Sequence, residues 1–402
     1  MRHLAIEATR LVQEKRGIAR YVRNVVRELA TQHPSLRFTF YTGSLADEAP
    51  LRALLRTLHP TLDARAEVAP IDELRDTRAD VAWYAWNFIT EPAEHAARVV
   101  TIHDLAPMLQ VDGRWWKFYK RAKYRRRYER TVAMADAIVT DSAFSRREMM
   151  HHLGVDPFHI TVTLLAADDL PLASADDTTP LDDAGVHGAY FLYVGAQDGR
   201  KNLCTLYRAM EQLWANGHRV PLVQCGPSLS RETKALLGKV PWLRHVGFVS
   251  ETQLATLYRR ATALVFPSCY EGFGLPVVEA MRVGTPVICA AGSSLAEVVG
   301  GAALQVTWND ATGFTTEMQR LLVHAALRDE LRTRSITQAA QYSWSRTASE
   351  TYALFTRVVR RRVEREVTPP RVLVPVDVLR SPALAPSAPV AASARLQNIA
   401  NG

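Results

Sequence analysis

The chain is short of cysteine, of long apolar runs and, outside one segment, of net charge. Its four cysteines (Cys204, Cys225, Cys269 and Cys289) stand far apart without metal-ligand spacing. They lie in or beside apolar runs, so buried thiols in a reducing compartment are expected rather than disulfides or a metal site. No window reaches the apolar length that spans a bilayer, and the start MRHLAIEATR lacks the apolar core of a signal peptide. A cytoplasmic protein is expected. No internal repeat is visible beyond a β/α rhythm shared by the two halves. Neither RGIARY nor GFGLPV completes the dinucleotide glycine pattern, which argues against a nicotinamide dehydrogenase.

What is present is ordinary in bulk. At 402 residues, 48% hydrophobic and 22% charged, the chain can bury two cores. The net charge of +8 is concentrated: Arg114 to Arg130, RWWKFYKRAKYRRRYER, has nine basic residues against Glu129, so the remainder is neutral. No nucleic-acid module accompanies this stripe, and no nucleic acid is expected as a partner. Lys and Arg interleaved with Trp, Phe and Tyr at helical spacing suit a helix lying on an anionic membrane surface. The docking candidates are Trp116, Lys120, Arg125, Arg126 and Arg127. The alternative is a solvated helix whose aromatics pack on their own domain.

The chain is organised around Cys269 to Ala290, CYEGFGLPVVEAMRVGTPVICA. Gly272 and Gly274 permit a tight turn or a close approach of backbone to a ligand. Pro276 fits the first turn of a helix that runs to Val283 and stops at Gly284, before a short strand from Val287. A glycine turn opening a helix presents free N–H groups and a positive dipole end to an anion. Glu271 and Glu279 beside such a site would repel an anion unless they bound something else, and vicinal sugar hydroxyls are the obvious candidates. Phosphate with polyol means a nucleotide sugar. Further upstream, GAQDGRKNL places Arg200 and Lys201 at a helix start, a fork and a mobile point charge suited to a diphosphate.

The nine residues from Glu271 to Glu279, EGFGLPVVE, resemble the E-x7-E signature of the retaining glycosyltransferases of family 4, which have the GT-B fold. Other motifs agree in order: RGIARY, TIHDLAP, ADAIVTDSAFSRRE and GAQDGRKNL, with Ala19 in place of the family's second glycine after Gly17. The resemblance implies an α/β protein of two Rossmann-like doubly wound domains facing a cleft, with a C-terminal helix returning to the first domain. The expected divisions are an acceptor-side domain 1–167, a linker 168–188, a nucleotide-sugar domain 189–342, the crossing helix 343–366 and a disordered tail 367–402.

It also implies roles. His103, at the end of a buried strand, would orient the sugar. Glu271 would hold the sugar hydroxyls and Glu279 the ribose diol. Gly17, Gly272, Phe273, Gly274 and Leu275 would line the donor, with the base against the backbone near Phe248 and Val249. Arg200 and Lys201 would stabilise the departing diphosphate. No metal and no cofactor are expected. The acceptor would be a glycan or lipid-linked precursor. Resemblance to bacterial mannosyltransferases sharing GIxRY and HDL suggests GDP-mannose, with a UDP-sugar as the alternative. Rivals are a non-catalytic nucleotide-sugar-binding protein of this fold and, less well matched, a sugar-nucleotide epimerase.

Overall fold

A computed structural model of the chain describes residues 1–14, 17–109, 118–172, 176–227, 235 and 239–367. The compact unit Met1–Arg362 contains two parallel sheets. The first has seven strands: β1 (His3–Glu7), β2 (Arg37–Thr42), β3 (Ala66–Pro70), β4 (Val81–Tyr84), β5 (Ala97–Thr101), β6 (Ala137–Thr140) and β7 (Ile160–Val162), in the order β3-β2-β1-β4-β5-β6-β7. The second has six: β8 (Phe191–Val194), β9 (Leu222–Cys225), β10 (Leu243–Gly247), β11 (Ala263–Phe266), β12 (Val287–Ala291) and β13 (Leu304–Thr307), in the order β10-β9-β8-β11-β12-β13. Central strands such as β4, β6 and β11 are buried at every residue, as a sheet covered by helices on both faces requires. The two Rossmann-like halves are those expected.

The helix Gly17–Gln32 buries Val22, Val25, Val26 and Leu29, the apolar stripe legible in the sequence. It stops where His33 precedes Pro34, because a residue before proline disfavours the helical conformation. The helix Trp344–Val367 buries Trp344, Ala348 and Phe355. It returns to the first domain as expected: Phe355 packs on Trp83, Tyr352 stacks on His33, and Tyr352 donates to the Met1 carbonyl.

Residues 71–76 form a 3-10 turn, and β7 is three residues long. The helix Ala143–Leu153 is capped by Ser142, which accepts from the Ser145 N–H, so Ser145 itself is not the cap. The capping box from Ser250 to Gln253 is present. The aromatic pair Trp115 and Trp116 and the tail beyond Val367 lie outside the described residues.

Candidate functional site

In the second sheet the chain passes from β8 outward to β9 and β10, then returns to place β11 on the other side of β8. Loops leaving the carboxyl ends of β8 and β11 therefore diverge and open a crevice between them, where such sheets bind ligands. The β8 loop carries Arg200 and Lys201 in a 3-10 turn, and the β11 loop carries Glu271. A backbone tie holds the loops together: the Cys269 N–H donates to the Arg200 carbonyl at 2.9 Å.

Glu271 is buried between cations. Lys201 Nζ lies 2.6 Å from Oε1, which also accepts from Ser268 Oγ at 2.5 Å. Arg200 Nη1 lies 3.4 Å from Oε2 and 3.5 Å from Asp104 of the first domain. Burial alone would raise the pKa of Glu271, but Lys201 and then Arg200 outweigh it and hold the carboxylate below its ordinary range. Asp104, buried with less compensation, is pushed upward despite Arg200. Arg200, Lys201 and Glu271, named from separate motifs in the sequence, are brought together here, with Asp104 and Ser268 as partners that the sequence reading did not name.

The glycine turn is needed for close approach. A Cβ on Gly272 would lie 2.4 Å from the His103 carbonyl oxygen across the cleft. Gly274 has φ of 104°, and a Cβ there would meet Leu295 at 2.6 Å. Phe273 turns its side chain into the core against Tyr342, while that of Leu275, also buried, reaches toward Gly17 of the first domain. The helix Leu275–Arg282 starts at Gly274 without a side-chain cap; Pro276 has no N–H and Val277 donates to the Gly274 carbonyl, so of its first turn the Leu275 N–H is the group that can face an anion. Gly17 opens the facing helix of the first domain, and a Cβ there would come within 3.2 Å of Leu275. Val249 follows β10 and packs half-buried on the second domain's core, with Phe248 exposed beside it.

Glu279 is also buried and doubly held. Tyr258 donates its hydroxyl to Oε2 at 2.6 Å, and Arg20 Nη1 pairs with Oε1 from the other domain. Arg20 in turn places Nε and Nη2 on the two oxygens of Asp169, both at 2.7 Å. Asp169 accepts from Asn24 Nδ2 and Trp344 Nε1 as well. Nothing in local spacing links Arg20, Asp169 and Glu279.

His103 is buried with both ring nitrogens engaged. Nδ1 donates to Asp141 at 2.6 Å and Nε2 to the Ala85 carbonyl at 3.0 Å. Two acceptors demand two N–H donors, the imidazolium. Burial opposes that charge, but Asp141 prevails and the pKa is raised. Tyr21 packs edge-on against the ring at 5.2 Å. Asp141 ends β6 as His103 follows β5, so the strand-end rule applied to His103 could have found its partner.

The cleft is further closed by Glu297, whose carboxylate accepts from the Ala143 and Phe144 N–H groups at 2.9 and 3.0 Å. The single Ser294 hydroxyl proton is shared between the Glu271 and Phe273 carbonyl oxygens, 2.9 and 3.0 Å from Oγ, so neither Ser294 nor Glu297 caps its own helix. Lys120, Arg125, Arg126 and Arg127 are exposed on the helix Phe118–Met134, away from this cluster in sequence, and Trp116 lies outside the described residues. Among the described residues one group could gather a metal ion, the exposed Asp76, Glu94 and His95, and it contains none of the predicted site residues.

Comparison with known proteins agrees with this geometry. Residues 15–166 match the family model "Glycosyltransferase Family 4", and residues 185–340 match "Glycosyl transferases group 1". The O-antigen chain mannosyltransferase B of Escherichia coli is 31% identical over 307 residues, 74% of this chain and 77% of that protein. Among solved structures, a sucrose-phosphate synthase from Thermosynechococcus elongatus superposes with a TM-score of 0.69 at 18% identity, over 90% of this chain and 100% of the other. HepE of Anabaena, in complex with UDP and glucose, gives a TM-score of 0.64 at 14% identity, over 91% and 99% of the two chains.

Proposed function

The chain belongs to glycosyltransferase family 4 and has the GT-B fold, and from that premise we propose that it is a retaining, metal-independent mannosyltransferase. Its donor is GDP-mannose, and its acceptor is a hydroxyl of a lipid-linked or polysaccharide glycan precursor. The observation that carries the proposal is the Arg200–Lys201–Glu271 cluster where the loops of β8 and β11 part. There the two cations and the start of the helix Leu275–Arg282 meet the charge that develops on a departing diphosphate, the largest electrostatic demand of the transfer.

Glu271 is clamped by Lys201 and Ser268 in a pose for accepting hydrogen bonds, which favours holding sugar hydroxyls over covalent attack. The acceptor then attacks from the face the diphosphate leaves, and retention follows. Each site carboxylate already has a protein cation as partner: Lys201 and Arg200 at Glu271, Arg200 at Asp104, Arg20 at Glu279. Transfer is expected to need no metal for that reason. His103, fixed by Asp141 through Nδ1, reaches a sugar hydroxyl from the first domain only by giving up its Nε2 bond to the Ala85 carbonyl. Identity to a mannosyltransferase supports mannose. A UDP-sugar is the second reading, favoured by a fold shared with a protein that binds UDP and glucose.

The peptide is expected at the inner membrane face, held by the basic helix Phe118–Met134. Among the described residues no helix is long and apolar enough to cross a membrane. Thermal-shift titration with GDP- and UDP-sugars, followed by hydrolysis and transfer assays in chelator, tests the donor. Nuclear magnetic resonance of the product tests the rest. A strong shift and turnover with GDP-mannose and an α-linked product are expected. An inverted anomeric configuration, or turnover with UDP-sugars alone, overturns the corresponding part.

A further inference from the structure

Arg20 has two fixed appointments on different parts of the fold, and its contacts are shorter than those of Arg200. Its Nε and Nη2 form a fork with Asp169, both bonds at 2.7 Å. Asp169 cannot follow Arg20 elsewhere, because Asn24 Nδ2 at 2.8 Å and Trp344 Nε1 at 2.9 Å hold it against the first domain and the returning helix. A guanidinium has five N–H donors in a rigid plane, so a forked Arg20 points its remaining Nη1 in one direction. That direction is Glu279, on a helix of the opposite domain.

Resting on the reading of Glu279 as the ribose carboxylate, we infer that Arg20 is a positioning residue: a guanidinium anchored in one domain that orients Glu279 for the ribose diol only when the two domains close. Three features carry this. Glu279 has one partner on each oxygen, Arg20 on Oε1 and Tyr258 on Oε2, which fixes the carboxylate plane. A carboxylate offers about four acceptor sites, so one lone pair on each oxygen stays open for two vicinal hydroxyls. The triad of one cation and two carboxylates keeps a net charge of −1, which suits neutral hydroxyl donors and repels a phosphate. Tyr258 lies in the same domain as Glu279, so Arg20 supplies the part of this orientation that depends on closure. Ribose recognition and domain closure are thereby one equilibrium.

The test compares GDP with 2′,3′-dideoxy-GDP by calorimetry, on the full chain and on Arg20→Gln, Arg20→Lys, Glu279→Gln and the Arg20→Gln/Glu279→Gln pair. The wild type is expected to prefer the ribonucleotide by about tenfold or more, as two hydrogen bonds to a charged group imply. Arg20→Gln should remove most of that preference while leaving dideoxy-GDP affinity within about threefold of wild type. The double variant should be no worse than Glu279→Gln alone, because both act through one contact. Arg20→Lys keeps the charge but lacks the rigid planar fork that fixes the direction of the remaining donor, so it should fail to restore the preference. It also keeps the test open if Arg20→Gln does not fold. Equal weakening of both nucleotides by Arg20→Gln, or an unchanged preference in both Arg20 variants, overturns the inference. A wild type that binds nucleoside diphosphate without preferring the ribonucleotide overturns the role of Glu279. A wild type that binds neither GDP nor UDP overturns the functional reading itself.

Discussion

Lys201 and Arg200 are neighbours in sequence and hold their charges in different ways. Lys201 is buried, with Nζ on Glu271 and lying 5.0 Å from the Phe266 ring centre, whereas Arg200 reaches across the cleft with a quarter of its side chain exposed. Each should contribute a charge-assisted phosphate contact, so alanine at either position weakens nucleoside diphosphate binding by about 1.5–3 kcal/mol. Lys201→Ala also takes from buried Glu271 its nearer cation and leaves Arg200 at 3.4 Å, while Arg200→Ala takes from Asp104 a cation 3.5 Å away, so both should lose folding stability and Lys201→Ala the more. Calorimetry and chemical unfolding of both variants separate the two effects, and equal stability losses would count against the asymmetry. His103 supplies a pH-dependent test. Its pKa is raised above the ordinary 6.5, so its stabilisation is full below the unfolded value and fades as pH climbs through the folded one. The melting-temperature advantage of the wild type over His103→Gln should therefore shrink as pH rises above about 6.5. An advantage that grows with pH would mean the imidazole is neutral.

Elements carry the site differently from what their sequences suggest. The turn at Gly272 and Gly274 was legible because only glycine tolerates such turns, yet the space beside Gly272 is taken by the His103 carbonyl of the other domain rather than by a ligand. The strand-turn-helix rhythm, the Arg200–Lys201–Glu271 grouping and the returning helix were equally legible, since apolar periodicity and strand-end placement follow from local covalent geometry. What stayed hidden were pairs joined only by folding: Arg20 with Asp169 and Glu279, His103 with Asp141, and Glu297 with the amides of residues 143 and 144. Ser294 and Glu297 have cap spacing, but Glu297 reaches the N-terminus of a helix more than 140 residues earlier. Removing it in Glu297→Ala should cost about 1 kcal/mol in unfolding free energy, the scale of a lost N-terminal cap. Gly272→Ala places a methyl 2.4 Å from the His103 oxygen and must hold the domains apart. Turnover should fall by about two orders of magnitude, with a smaller loss of nucleotide affinity. Unimpaired turnover in Gly272→Ala would show that catalysis does not need this closed arrangement.

At the scale of the molecule, charge is the asymmetry that fold alone does not explain, because the stretch from Arg114 to Arg130 holds the entire net +8. The described part of that stretch sorts its residues by face. Tyr128 is buried and Tyr124 half-buried, both packed on Phe88, while Lys120, Arg121, Lys123, Arg125, Arg126, Arg127 and Arg130 are exposed. The aromatics at these two positions therefore anchor the helix to its own domain, and Tyr119 is left on the outside. Not every arginine is equally available to a membrane: Arg127 stacks on Phe88 at 3.8 Å, and Arg125 pairs with Glu129 and the His152 carbonyl. A charge reversal at those two would disturb the helix as well as the surface. Lys120, Arg121 and Arg126 make the cleaner test. Near an anionic surface each basic residue contributes about 1 kcal/mol, so three reversals remove an attraction worth several times thermal energy. The attraction is screened over about 8 Å at physiological salt. Sedimentation with vesicles of phosphatidylglycerol should capture the wild type at low salt, release it as salt rises and spare it with neutral lipid. Lys120→Glu, Arg121→Glu and Arg126→Glu together should abolish capture while leaving donor hydrolysis unchanged, since none of the three lies among the residues that hold Glu271, Glu279 or His103. A wild type that ignores anionic vesicles at low salt makes the basic face a solvated one, or a dock for a soluble phosphorylated acceptor, and a triple variant that still sediments moves the docking surface elsewhere on the molecule.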